Sequence, residues 1–443
     1  MFQSSQAQAL QREAASLLLY QSVLTGAASQ AFLDLIQALI QPDMTGINCL
    51  WSYGQWFQAL ASTGLNWQDY LLSQILKAEN PFVQQAQRSN FTALPPALVA
   101  AAQHDLQILQ RLYQCDSQLL SQWVQSATAL ETAPIAWEVH SNASSPGSSA
   151  SSPWERSPIW DTLRQAKQWS EQVESLAAHY RQFGSGLFAA YSAFRWQSHQ
   201  LVGVAYPDPI QLSELVGYEL QKTTLQQNTE ALLAGYPALH VLLYGSRGSG
   251  KSSLIKALLS TYSTQGLRLV EVGKAELQDL PTIVNQLRDA PQKFIIFVDD
   301  LSFEEDDDAY KALKVVLEGN ITARPQNIVV YATSNRRHLI REFFADRPRP
   351  SDADEIHNWD TVQEKLSFSD RFGLTLTFEP ANQDTYLQIV SHLADQAGLR
   401  IEPQDLEFRA LQWATRHNGR SGRTARQFID FLRAETGLTQ QNQ

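Results

Sequence analysis

Apolar residues recur at helical spacing through the first two hundred positions. Leu10, Ala14, Leu17 and Leu18 fall on one face of a helix, as do Phe32, Leu35, Ile36 and Leu39. The same pattern runs through Pro96–Leu112, Ser117–Ala129 and Asp161–Tyr180, and Trp160 to Phe194 reads as helical throughout. From about Leu212 the pattern changes. Short apolar runs at His240–Tyr244, Leu267–Val272, Phe294–Val298, Ile328–Thr333 and Leu374–Phe378 alternate with amphipathic stretches at Lys251–Ser263, Leu280–Asp289 and Ala309–Leu317. Apolar strands alternating with helices predict a parallel sheet covered on both faces. Beyond Pro380 only helical patterns remain, at Gln383–Ala397, Gln404–His417 and Ser421–Ala434. The expected organisation is an α-helical domain over residues 1–195, an α/β core over 196–380 and a helical lid over 381–443.

Composition refines this picture. Charged residues are sparse in the helical part, which is rich in Gln, Ser, Ala, Leu and Trp, and more frequent afterwards. Most of the 11 Trp precede residue 200 and are expected as large core anchors. The Ser/Pro/Gly-rich stretch at 141–158 cannot bury a core and reads as a loop inserted into the helical part. A net charge of −11 weighs against broad binding to nucleic acid or anionic membranes. Cys49 and Cys115 have no metal-ligand spacing and are expected as reduced core thiols. With no secretory signal and no apolar run long enough to span a bilayer, a cytoplasmic protein without membrane insertion is expected.

The candidate chemistry begins at the first strong strand. The run HVLLY leads into Gly245-Ser246-Arg247-Gly248-Ser249-Gly250-Lys251-Ser252, and a helix opens at once with Ser253 in its first turn. This is GxxxxGK[ST] between a strand and a helix, the setting in which backbone N–H groups and a helix N-terminus cradle phosphates. Lys251 would reach the β- and γ-phosphates, and the Ser252 hydroxyl would ligate Mg²⁺. The apolar strand Phe294–Val298 then ends in Asp299-Asp300, which places carboxylates at the sheet edge beside that loop. Asp299 is expected to hold the Mg²⁺, and Asn335, just past the next strand, to reach the γ-phosphate or the attacking water. Arg371, in Ser369-Asp-Arg-Phe-Gly373, is a candidate to enter a neighbouring subunit's site, with Arg336 and Arg337 as rivals. In the lid Arg423 is the favoured partner of the γ-phosphate, ahead of Arg426 and Arg420.

In this order the five elements resemble a AAA+ ATPase: Walker A, Walker B, sensor 1, arginine finger and sensor 2. The strings NTEALLAGYPALHVLLYG, KFIIFVDDLSFEEDD, YKALKVVLEG, YATSNRRHLI, DTVQEKLSFSDRFGLTLTF and RSGRTARQF resemble more closely the bacterial AAA+ family catalogued as domain of unknown function 815. The resemblance implies an α/β P-loop NTPase core with Mg²⁺-ATP as its ligand, and an adenine contact at Val216 and Gly217. It also implies a homo-oligomer, in its usual form a hexameric ring. One departure matters. Most AAA+ proteins carry Glu after the Walker B Asp, whereas this chain has Asp300, whose carboxylate stops about 1.5 Å short unless the backbone shifts. Glu304 and Glu305 are alternatives for activating the water. The segment 341–366 is long for a connection and is a candidate protomer contact. The reading is an ATP hydrolase that remodels a protein or complex recruited by the helical domain. A loader or initiator acting on nucleic acid, suggested by Asp299-Asp300, and a nucleotide-gated switch with little turnover stand as alternatives.

Overall fold

The structure is a computed structural model that describes residues 2–139, 157–303, 308–318, 323–335, 367–417 and 419–441. These divide into two compact units, Met1–Tyr191 and Ser192–Gln443. Glu304, Glu305, Arg336, Arg337, the segment 341–366 and almost all of the 141–158 loop lie outside the described residues.

The first unit is helical: α1 (Phe2–Ala15), α2 (Ala27–Ile40), α3 (Ile47–Ala61), α4 (Trp67–Lys77), α5 (Pro81–Arg88), α6 (Pro96–Tyr113), α7 (Ser117–Thr128), α8 (Pro158–Gln165), α9 (Val173–Phe183) and α10 (Gly186–Ala190). The α2 stripe behaves as its spacing predicts, with Phe32, Leu35, Ile36 and Leu39 all buried. The α1 stripe does not. That helix stops at Ala15, so Leu17 and Leu18 leave its periodicity, and Leu17 is buried while Leu18 is exposed. The carboxylate of the buried Asp105 fixes the exit by accepting the N–H groups of Leu18, Leu19 and Tyr20 at 2.9, 2.7 and 2.9 Å.

The helix expected over Asp161–Tyr180 is broken after Gln165. The break lets Trp169 bury its ring, with Nε1 donating to the Leu163 carbonyl at 2.8 Å and its own N–H donating to Gln110 Oε1 at 3.0 Å. Trp56, Trp67, Trp123, Trp160 and Trp169 are core anchors here, whereas Trp51 is 70% exposed. Both cysteines are free and buried.

The second unit is built on a seven-stranded sheet in the order β2-β1-β4-β5-β6-β3-β7. Its strands are β1 (Ala193–Gln197), β2 (Gln200–Gly203), β3 (Val241–Gly245), β4 (Leu267–Glu271), β5 (Lys293–Val298), β6 (Ile328–Ser334) and β7 (Leu374–Phe378). All neighbours pair in parallel except β1 with β2. α11 (Glu219–Leu233), α12 (Lys251–Tyr262), α13 (Leu280–Leu287) and α14 (Asp308–Glu318) provide the crossovers and cover. α15 (Gln383–Gln396), α16 (Pro403–Arg416) and α17 (Gly422–Gln441) form the lid around their own buried cluster, which includes Tyr386, Val390, Ala410, Phe428 and Leu432. This is an α/β core, a mostly parallel sheet between helices, with a C-terminal helical lid.

The five expected strands and six expected helices of this unit match those observed with small shifts at their ends, except that the last helix, expected to end at Ala434, runs on to Gln441. The hairpin β1–β2 corrects the reading of Trp160 to Phe194 as helical, since Ala193 and Phe194 already belong to the sheet. Trp196 is accordingly buried in this unit and not in the helical one.

Candidate functional site

At the carboxyl end of the sheet an open cavity of about 760 Å³ lies between the core and the lid. Its floor is the turn from β3 into α12. β3 and β7 run so close there that a Cβ on Gly245 would meet the Phe378 carbonyl oxygen at 2.0 Å. Gly248 has φ +74, and a Cβ on it would lie 2.9 Å from Ser421 Oγ. The lid therefore rests on the glycine-rich loop, and the Arg423 N–H donates to the Gly248 carbonyl at 3.3 Å. Ser246 donates its N–H to the Phe378 carbonyl at 2.9 Å and accepts from Ser249 Oγ at 2.9 Å, which closes the loop on itself.

Lys251 opens α12 and is buried. Its ammonium donates to the carbonyls of Gly245 and Ser246 at 3.1 and 2.7 Å, and to Asn335 Oδ1 at 3.4 Å. Burial pushes it below the ordinary lysine range and Arg423 adds to the shift, while Asp299 and Asp300 oppose it. A desolvated ammonium held mainly by neutral carbonyls is a good partner for an incoming phosphate.

Opposite Lys251, Ser252 Oγ donates to Asp299 Oδ1 at 2.7 Å. The hydroxyl and the carboxylate thus already stand side by side, and both offer hard oxygens. Among the described residues no cluster of three or more His, Cys, Asp or Glu could hold a metal ion. The donor set suits Mg²⁺, which keeps waters and takes one or two protein oxygens together with phosphate oxygens. Asn335 Nδ2 donates to Asp300 Oδ1 at 2.6 Å.

Most of the expected site residues meet in this cavity. Arg247, Gly248, Ser249, Gly250, Lys251, Ser252 and Ser253 line it, and Gly245 and Ser246 support them from below. Val216 and Gly217 line its far end beside Tyr218, whose hydroxyl donates to the Glu379 carbonyl. Asp299, Asp300 and Asn335 stand on the sheet side, and Arg423 and Arg426 on the lid side. Arg426 also pairs with Glu214 at 3.4 Å. Arg420 turns away to donate to Gln383 Oε1 at 3.2 Å and does not line the cavity. Arg371 is absent from the lining too and makes an ion pair with Glu318 at the end of α14.

Thr333 is the residue that sequence reasoning missed. It lines the cavity, donates to Asp299 Oδ1 and accepts the Asp300 N–H at 3.0 Å. The available signal was its period: two positions before Asn335, it shares that residue's side of the strand.

The family described as Protein of unknown function (DUF815) matches residues 189–436. No curated protein matches the chain. Among solved structures, the Thermotoga maritima RuvB Holliday junction branch migration motor is similar at 16% identity, over 51% of this chain and 72% of that one, with a TM-score of 0.31. A point mutant of RuvB from the same organism gives 16% identity, 51% and 73% coverage and a TM-score of 0.32. At these scores the superpositions are too loose to bear on function. No helix among the described residues is long and apolar enough to cross a membrane.

Proposed function

The chain belongs to the protein family of unknown function DUF815, and from that premise and the cavity's geometry we propose that it is an ATPase of AAA+ type, acting on Mg²⁺-ATP. The observation that carries the reading is the 2.7 Å contact between Ser252 Oγ and Asp299 Oδ1 beside the Lys251 ammonium. An ammonium that would meet a phosphate and two oxygens that would hold a metal ion stand together at the mouth of one glycine-rich loop. Val216 and Gly217 would receive the base, and backbone N–H groups from Gly248 to Ser252 the phosphates. When bound, Mg²⁺ supplies charge neutralisation on the phosphate oxygens.

The chain's own groups account for the rest. Lys251 would leave the loop carbonyls for the β- and γ-phosphates. Asp300 would orient the attacking water and take its proton, with Asn335 holding the carboxylate in place. Arg423 would stabilise charge from the lid. Glu304 remains a candidate base outside the described residues. Arg371 would act in trans, in an oligomer whose usual form for such ATPases is a ring. The helical unit would recruit a protein or complex for remodelling in the cytoplasm.

A nucleotide-gated switch is the second reading, favoured by the ion pair that holds Arg371 against Glu318 of its own chain. Steady-state phosphate release against protein concentration separates the two. The oligomeric motor predicts a rate per protomer that rises with concentration, is abolished in Lys251→Ala, and falls by roughly 10³-fold or more in Arg371→Ala. A flat, near-zero wild-type rate with ATP still bound would favour the switch.

A further inference from the structure

The parallel register sets Val298 beside Ala332, so the first residue past β5 comes level with Thr333. Thr333 is buried, and it meets the turn 299–301 through both its side chain and its backbone. Its hydroxyl joins Asp299 to Asp300 as described above, and its carbonyl accepts the Leu301 N–H at 2.7 Å. Ser334 Oγ adds a bond to the Leu301 carbonyl at 2.9 Å. Within this stitched turn Asp300 has φ +51, a left-handed conformation that a residue with a side chain keeps only where its surroundings hold it.

The turn has a chemical consequence. Continued extension past Val298 would send Asp299 and Asp300 to opposite faces of the sheet. With the chain turned at Asp300, both carboxylates line one cavity, Asp299 on Ser252 and Asp300 on Asn335. Thr333 thus holds the Asp299 carboxylate and the Asp300 backbone, and Asn335 the Asp300 carboxylate.

We propose that Thr333 is the positioning residue for both acids. Its hydroxyl orients the metal-binding Asp299 and holds the left-handed turn that lets an aspartate stand where most AAA+ proteins use the longer glutamate. The inference rests on the ATPase reading above.

The test is nucleotide affinity of the full chain, measured by calorimetry with and without Mg²⁺. Thr333→Val removes the hydroxyl and keeps the branched shape, and Thr333→Ser keeps a hydroxyl. The wild type is expected to bind ATP more tightly with Mg²⁺. Thr333→Val is expected to lose about tenfold of that metal-dependent gain, keep its metal-free affinity and release phosphate at least about tenfold more slowly. Thr333→Ser should recover most of both. If the valine variant does not fold, Thr333→Ala reads the same contrast with less bulk.

An unchanged metal-dependent gain and turnover in Thr333→Val would overturn the proposal. So would an equal loss of affinity with and without metal, which would make Thr333 a packing residue of the cavity wall. A wild type that binds no nucleotide would instead remove the ATPase reading, and this inference with it.

Discussion

Asp300 carries a carboxylate and an unusual backbone at the same position, and substitution can separate the two. Asp300→Gly and Asp300→Ala both delete the carboxylate, but only alanine keeps a Cβ in the left-handed region. Alanine is expected to be the less stable of the pair by about 1 kcal/mol, read from denaturant midpoints at equal slope, with hydrolysis lost in both. Equal stability would mean that the turn relaxes once the side chain is gone. The acids, the lysine and Asn335 could be found in the sequence because each sits at a fixed offset from a strand end or a glycine. The left-handed turn could not, since it depends on a cross-strand bond from Thr333, a residue type that otherwise reads as ordinary strand. The choice among lid arginines was open for a related reason. Arg420, Arg423 and Arg426 share one helix start, and only their directions in space separate Arg420, on Gln383, from Arg423 and Arg426, which both line the cavity.

Among the elements, β3 and β6 are joined by a side chain as well as by their ladder. His240, just before β3, is buried and accepts the Val330 N–H on Nδ1 at 2.9 Å. Burial, aided by the charge of Arg324, holds its pKa down at about 3, against 6.5 for a free histidine. The unfolded chain therefore binds a proton more readily than the folded one between those values. Stability from keeping this imidazole neutral is complete above pH 6.5 and is lost as pH falls toward 3, by at most about 5 kcal/mol. His240→Asn presents an oxygen to Val330 and does not titrate there. Its stability against pH should be flatter than wild type over that window, in denaturant unfolding followed by circular dichroism. Parallel curves would show that other groups set the acid limb. The β1–β2 hairpin marks the limit of element reading. Phe194-Arg195-Trp196-Gln197 does alternate, buried then exposed. The turn, however, is Ser198-His199, both at positive φ, in place of the Asn-Gly or Asp-Gly that normally signals a two-residue hairpin. Helical periodicity carried past Phe183 hid the alternation.

For the whole molecule, the two compact units have separate cores, one around Phe32, Trp56 and Trp67, the other around the sheet and lid. Trp67 stacks on Phe32 with centroids 4.3 Å apart and donates its Nε1–H to the Leu112 carbonyl at 2.9 Å. Removing that ring leaves a cavity in the first unit, while every group proposed to touch ATP lies in the second. Trp67→Ala is therefore expected to lower the first unit's stability by about 3–5 kcal/mol. ATP with Mg²⁺ at a hundredfold excess over its Kd should raise the second unit's stability by about 2.7 kcal/mol in wild type and variant alike. Differential scanning calorimetry reads both, as one transition that moves with the mutation and another that moves with the nucleotide. A single transition shifted by either change would mean that the units unfold as one cooperative block. Loss of the nucleotide shift in Trp67→Ala would mean that the helical unit's integrity is needed for the ATP site.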